Sequence, residues 1–146
     1  MTSAGIRQPA IVLVDDDFHS ARLMLRMLAA HDAPLVDWLG GDPEKALESV
    51  LELTVQPLMT RLMVLVDLKS SSTASRDFIE RLLHAAPDLL VVAMAPSLDR
   101  DTRNRVLDAG AAAVFERHAE LNSYRSEAAN IVSFWVRAQR LDAVGT

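Results

Sequence analysis

The chain has no cysteine, so it has neither a disulfide framework nor a thiolate metal site. No apolar run approaches the ~20 residues that a membrane-crossing helix requires. Met1 to Pro9 carry no long apolar stretch of the kind that forms a secretory signal. Positive charge is also short. Fifteen Lys and Arg stand against 20 Asp and Glu, for a formal net charge of -5. That balance argues against direct nucleic-acid binding, because phosphate backbones select an excess of Lys and Arg. No internal repeat, low-complexity tract or dividing linker interrupts the chain. Half of the residues are hydrophobic and 24% are charged, a soluble globular composition. The length of 146 residues suits one domain, 1–146, with its core over about 10–141. The expectation is a cytoplasmic protein without membrane association.

Strand and helix signals alternate. Ala10 to Val14 is a short continuous apolar run, as in a strand buried on both faces. Phe18 to Ala30 follows as a helix, with Ala21, Met24, Leu25 and Leu28 at helical spacing. Leu35 to Leu39 is a second strand. Asp42-Pro43 then opens a helix that runs to about Leu53, an acid at the N-cap and proline at the first helical position. Gln56-Pro57 breaks it. Leu62 to Val66 is a third strand, Phe78 to Ala86 a third helix, and Leu89 to Met94 a fourth strand. Arg100 to Ala109 is a fourth helix, and Gly110 stands where a C-terminal cap needs positive φ. Ala113 to Phe115 and Ser123 to about Leu141 complete the pattern. Five βα repeats predict an α/β fold: a doubly wound, five-stranded parallel sheet with right-handed crossovers. For the flavodoxin-like order 2-1-3-4-5, ligands lie beyond the carboxyl ends of strands one and three, where the strand order reverses.

Those two strands both end in acid. Asp15-Asp16-Asp17 closes the first and Asp67 the third. Four carboxylates at one edge repel, and such a cluster calls for a cation or for protonation. Oxygen-rich acidic groups suit Mg²⁺ together with a phosphate. Asp17 reads better as the N-cap of the first helix than as a ligand. Ser97 and the run Ser70 to Ser72 read as loop residues before phosphate ligands. His19, His31, His84 and His118 share no metal-ligand spacing, and Trp38 is expected near the acidic edge as partial core.

With Val14-Asp15-Asp16 at the end of strand one, Asp67 at the end of strand three and the Ala109-Gly110-Ala111 step before strand five, the chain resembles a response-regulator receiver domain over roughly Ile11 to Arg140. Receivers are the phospho-acceptor half of two-component signalling. The resemblance implies Asp67 as phospho-acceptor and Mg²⁺ held by Asp15, Asp16, Asp67 and the backbone carbonyl of Lys69. It implies a histidine kinase or phosphotransfer protein as donor and a downstream protein partner. A partner face or homodimer face would lie on helix four, strand five and helix five, where Ile131, Phe134 and Trp135 share a stripe.

Several positions depart from the family pattern. The strand-four hydroxyl falls on Ala95, the strand-five lysine on Arg117 with His118 following, and the aromatic switch on Val114. The run Lys69 to Ser75 replaces the usual loop. A planar guanidinium is not a free exchange for an ammonium. Loss of one charge-assisted bond at Ala95 removes roughly 1.5–3 kcal/mol of coupling. The Lys69 side chain could reach the acids and act as a tethered cation in place of Mg²⁺.

Three functions follow from these features. The first is a stand-alone receiver in a phosphorelay, accepting a phosphoryl group on Asp67 with Mg²⁺. It would be no enzyme beyond its own phosphorylation and dephosphorylation. The second is a pseudo-receiver, an interaction module independent of phosphorylation. The third, more remote, is a phosphatase: Asp15-x-Asp17 is similar to the nucleophile motif of haloacid-dehalogenase-type enzymes.

Overall fold

The computed structural model describes residues 9–55 and 61–143. Five strands and five helices alternate: β1 (Ile11–Asp15), α1 (Phe18–Ala30), β2 (Val36–Leu39), α2 (Pro43–Thr54), β3 (Met63–Asp67), α3 (Ala74–Ala85), β4 (Leu90–Ala95), α4 (Arg100–Asp108), β5 (Ala113–Glu116) and α5 (Leu121–Ala143). The strands form one parallel sheet in the order β2-β1-β3-β4-β5, which is the expected order. Among the described residues, no helix is long and apolar enough to cross a membrane.

Side chains alternate across a strand, and here that alternation makes two apolar layers. Ile11, Leu13, Met63, Leu65, Val92 and Met94 pack with Ala21, Met24 and Leu28 of α1 and with Ala128 and Ile131 of α5. Val12, Val14, Val64, Val66, Val91 and Ala93 pack on the other face with Val50 of α2, Ile79 and Leu82 of α3, and Val106 of α4. β1, β3 and β4 are buried along their whole length. This is why they read as continuous apolar runs with no period of two.

The boundaries differ from the sequence reading where polar residues belong to an element. β1 and β3 each extend one residue further, so Asp15 and Asp67 are strand residues, paired in register. α3 starts at Ala74 and not at Phe78. Its first turn is polar, and only Phe78, Ile79 and Leu82 face the core, so apolar spacing marked just the packed part. α5 starts at Leu121, ahead of Ser123, because the Glu120 carboxylate accepts from the Asn122 and Ser123 amides at 2.9 and 3.2 Å. α2 has the expected start: Asp42 accepts from the Glu44 amide at 3.0 Å and Pro43 follows. The Gln56-Pro57 break lies outside the described residues, as do residues 1–8, on which the signal-peptide reading mostly fell.

Gly110 has φ +118°, and a Cβ built there would collide with the Leu83 side chain. The positive φ therefore favours glycine at the α4–β5 turn, and a side chain there would also displace the end of Leu83. Gly110→Ala is expected to lower stability by about 1–3 kcal/mol, read from the midpoint of urea unfolding; an unchanged midpoint would contradict this account.

Candidate functional site at the carboxyl edge of the sheet

The register that sets Asp15 beside Asp67 puts two carboxylates on adjacent strands, both with no solvent exposure. Both continue the face of Ile11, Leu13, Met63 and Leu65, so they sit at the end of an apolar layer. Burying ionised groups there is costly unless each finds a partner. Two cations supply it. The Lys69 ammonium lies 2.6 Å from Asp15 Oδ1, 3.0 Å from the Asp67 carbonyl oxygen and 3.1 Å from Asp67 Oδ2. The Arg117 guanidinium donates from Nε at 2.9 Å and from Nη2 at 2.5 Å, both to Asp67 Oδ1. Two negative and two positive charges thus close on one another.

Asp15 Oδ1 also accepts from the Asp17 amide at 2.8 Å. Even so, burial raises the Asp15 pKa above its ordinary value; the Lys69 and Asp17 hydrogen bonds oppose this and the Asp67 charge adds to it. Asp15 Oδ2 and Asp67 Oδ2 have no hydrogen-bond partner. The Lys69 ammonium is close enough to Asp67 Oδ2 for charge attraction, but it is not aligned for a hydrogen bond.

Asp16 has a different job. Its carboxylate accepts from the Lys69 amide at 2.9 and 3.2 Å and from the Ser70 amide at 2.9 Å. It pins the β3–α3 loop over the edge and so holds Lys69 above the acids. Ser75 ties the same loop back, its hydroxyl accepting from the Leu68 amide at 3.0 Å.

This arrangement does not fit Mg²⁺. The ion needs near-octahedral oxygen ligands at about 2.0–2.1 Å. Here Asp16 is spent on backbone amides, and the Lys69 ammonium stands among the oxygens of Asp15 and Asp67. Among the described residues, no three His, Cys, Asp or Glu side chains are placed to hold a metal ion. Asp15, Asp16 and Asp67 thus do not converge as a three-carboxylate metal site, and the Lys69 ammonium stands among the oxygens of Asp15 and Asp67. Asp17 is also absent from the cluster. It is the N-cap residue of α1, as expected, and its Oδ2 accepts from the Ser20 hydroxyl at 2.6 Å.

The other sequence candidates divide. Ala95, buried at the end of β4, presents only a methyl group. Val114 is half-buried and packs on the α2–α4 side of the sheet. Ser97 is an exposed loop residue whose hydroxyl accepts from the Asp99 amide at 3.1 Å. Trp38 is half-buried, and its Nε1 donates to the Asp15 carbonyl at 2.9 Å, which places it against the site. His118 faces carboxylates away from the acids, 3.4 Å from Glu116 and 3.7 Å from Glu127. Most of the α5 stripe packs on the sheet, as its breadth of apolar residues requires. Ile131 is fully buried in the core, and Phe134 and Trp135 are half-buried and pack against it. Phe134 also meets Phe115 edge-on at 6.1 Å. The fold itself covers most of that stripe.

Tyr124 escaped the sequence reading. It is buried on α5 beneath the acids, and its hydroxyl has no hydrogen-bond partner. Burial, and then the charges of Asp67 and Asp15, push its pKa well above the usual value. The available signal was the chain's single tyrosine standing in the apolar stripe of the last helix.

Two outcomes are expected. The raised Asp15 pKa means that this residue's burial costs least below the ordinary carboxylate value of 3.8. The cost grows as pH rises through the higher folded value, because the unfolded chain ionises first. Asp15→Asn is therefore expected to gain stability relative to the parent as pH rises above the ordinary carboxylate value of 3.8, measured by urea unfolding at each pH; a pH-independent difference would count against it. Removal of the tethered cation is expected to open the site. Lys69→Ala should bind Mg²⁺ more tightly than the parent, followed by Trp38 fluorescence, and equal affinity would show that Lys69 does not compete.

No protein-family model matches the chain, and a search of curated proteins finds no relative. Solved structures do match. A response regulator from Hahella chejuensis superposes with TM-score 0.69 at 16% identity, over 88% of this chain and 96% of that one. The phosphorylated cyanobacterial phytochrome response regulator RcpA gives TM-score 0.67 at 17% identity, over 88% and 95%. The Mn²⁺-bound response regulator Rcp1 gives 0.65 at 19%, over 87% and 94%. With matching strand order and an acid-ended pair of central strands, this chain has the fold of a response-regulator receiver domain.

Proposed function

We propose that this chain is a receiver-type signalling module that works by docking to a protein partner without needing phosphorylation. The observation that carries this reading is the closed charge balance at Asp67. The carboxylate is fully buried, Arg117 holds one oxygen through two donors, and Lys69 stands where a metal would bridge to a phosphoryl group. Ala95 reinforces it. Without a hydroxyl at the end of β4 there is no donor to follow a new phosphoryl group, and losing such a charge-assisted bond removes roughly 1.5–3 kcal/mol of coupling. Lys69 and Arg117 neutralise the buried acids internally, so in this reading the edge needs neither Mg²⁺ nor phosphorylation to balance its charge. Output in this reading runs through α4, β5 and α5 to a downstream protein or a second copy of the chain, in the cytoplasm.

A second reading has its own support. Asp15, Asp16 and Asp67 are all present, and Asp67 Oδ2, the oxygen that would attack a phosphoryl donor, carries no hydrogen bond. In this reading Mg²⁺ displaces the Lys69 ammonium, and a histidine kinase or phosphotransfer protein phosphorylates Asp67. The phosphorylated state of RcpA and the Mn²⁺-bound form of Rcp1 support it by fold likeness. A phosphatase of the haloacid-dehalogenase type is not favoured. Its nucleophile would be Asp15, which is fully buried and already bonded to Lys69, and Asp17 is turned to Ser20.

Intact mass after incubation with acetyl phosphate and Mg²⁺ separates the two. The parent is expected to gain no phosphate. An adduct on the parent that is lost in Asp67→Asn would overturn the docking-only reading and install the phospho-acceptor.

A further inference from the structure

Beside the acids, but above them, lies a cavity of about 310 Å³, at the lower end of the size range for small-molecule sites. Its walls come from two segments. One is the β3–α3 loop with the start of α3, and the other is the end of β4 with α4. Four cationic side chains reach the lining, Lys69, Arg76, Arg105 and Arg117, and no carboxylate does. In a chain of net charge -5 the lining carries cations of one sign, although Lys69 and Arg117 are balanced by the buried acids beside it.

The cations are not equally engaged. Lys69 and the Nε and Nη2 groups of Arg117 are taken by Asp15 and Asp67. Arg76 makes only exposed pairs on its own helix, at 3.3 Å to Asp77 and 3.8 Å to Glu80, and its Nε is buried without a hydrogen-bond partner. Arg105 is exposed and has no ion pair or side-chain hydrogen bond among the described residues. The hydroxyls divide in the same way. Ser75 and Thr102 are used within the protein, on Leu68 and Asp99. Thr73, the N-cap of α3, makes no side-chain cap bond, and Ser71 and Ser72 line the cavity beside it. Met94, Ala95 and Val106 supply an apolar floor, and the methyl of Ala95 leaves open the volume that a larger hydroxyl side chain would fill.

We propose that this cavity binds a small phosphate monoester without covalent transfer. Its dianion meets Arg76 and Arg105 across the two walls, since guanidinium forks suit phosphate oxygens. The Thr73 and Ser71 hydroxyls donate to the same oxygens, and the carbon body lies on Met94, Ala95 and Val106. A ligand seated this way bridges the β3–α3 loop to α4. Binding does not depend on the docking reading above; a regulatory role for that bridge rests on it.

The test uses the full chain, ¹⁵N-labelled and titrated with glycerol 3-phosphate, with glycerol as the uncharged control. Amides of Ser71 to Arg76 and of Thr102 to Val106 are expected to shift with a Kd below about 1 mM. Glycerol should move none of them. Arg76→Ala and Arg105→Ala, both on helix surfaces, should each weaken binding by about tenfold while leaving the rest of the spectrum in place. Asp67→Asn should still bind, and intact mass of the parent with glycerol 3-phosphate should show no adduct, which separates this site from phosphorylation of Asp67. Absence of shifts up to about 10 mM, or shifts indifferent to both arginine substitutions, would overturn the proposal. An acetyl-phosphate adduct on Asp67 would remove the docking-only reading and leave this site standing.

Discussion

Two carboxylates, Asp15 and Asp67, lie side by side with no access to water, and the carboxyl edge of the sheet is organised around neutralising them. In a sheet interior an unpaired ionised carboxylate is not sustainable. The chain therefore brings a cation to each from a different direction, Lys69 from the loop after β3 and Arg117 from the loop after β5. Breaking such a buried pair by removing one partner costs about 3–5 kcal/mol. The same contacts that complete the site thus fasten two loops to the sheet.

Asp16 makes this possible although it meets neither cation. By accepting from the amides of Lys69 and Ser70, it fixes the backbone from which the Lys69 side chain reaches back. Three consecutive acids consequently do three different things: Asp15 is a buried charge, Asp16 a loop anchor and Asp17 a helix cap. Identical chemistry is separated by backbone geometry alone, because one residue ends a strand, the next turns and the third opens a helix.

The departures Ala95, Arg117 and Lys69 act together on this edge. Arg117 spends its fork on Asp67, as a planar group with several donors can and a point ammonium cannot. Lys69 takes the position among the oxygens that a divalent ion would need. Ala95 leaves open space where a hydroxyl would stand, and the cationic cavity fills that space. The edge thereby holds its buried charges already matched.

Most of the architecture was legible in the chain. Continuous apolar runs marked β1, β3 and β4 because both faces are buried, helical spacing marked α1, and the Asp42-Pro43 cap marked the start of α2. The glycine at position 110 marked the end of α4 because the cap there needs positive φ, and φ is +118°. The strand ends at Asp15 and Asp67 identified the working edge. What escaped depends on side-chain direction. The spacing of Ile131, Phe134 and Trp135 shows a stripe that must mostly pack on the sheet, but not which of the three stay half-exposed. The start of α3 is polar and left no period to read. The use of Asp16 on amides, the reach of Arg117 to Asp67 and the burial of the Tyr124 hydroxyl join residues far apart in sequence. Local pattern determined the elements and their order, because burial on two faces or one leaves a mark in consecutive residues. Lys69, two residues after Asp67, was already within reach of the acids in the sequence. The use of Asp16 on amides and of two Arg117 donors on one Asp67 oxygen was decided by the tertiary structure, because it depends on which distant side chains the crossovers bring within a few ångströms.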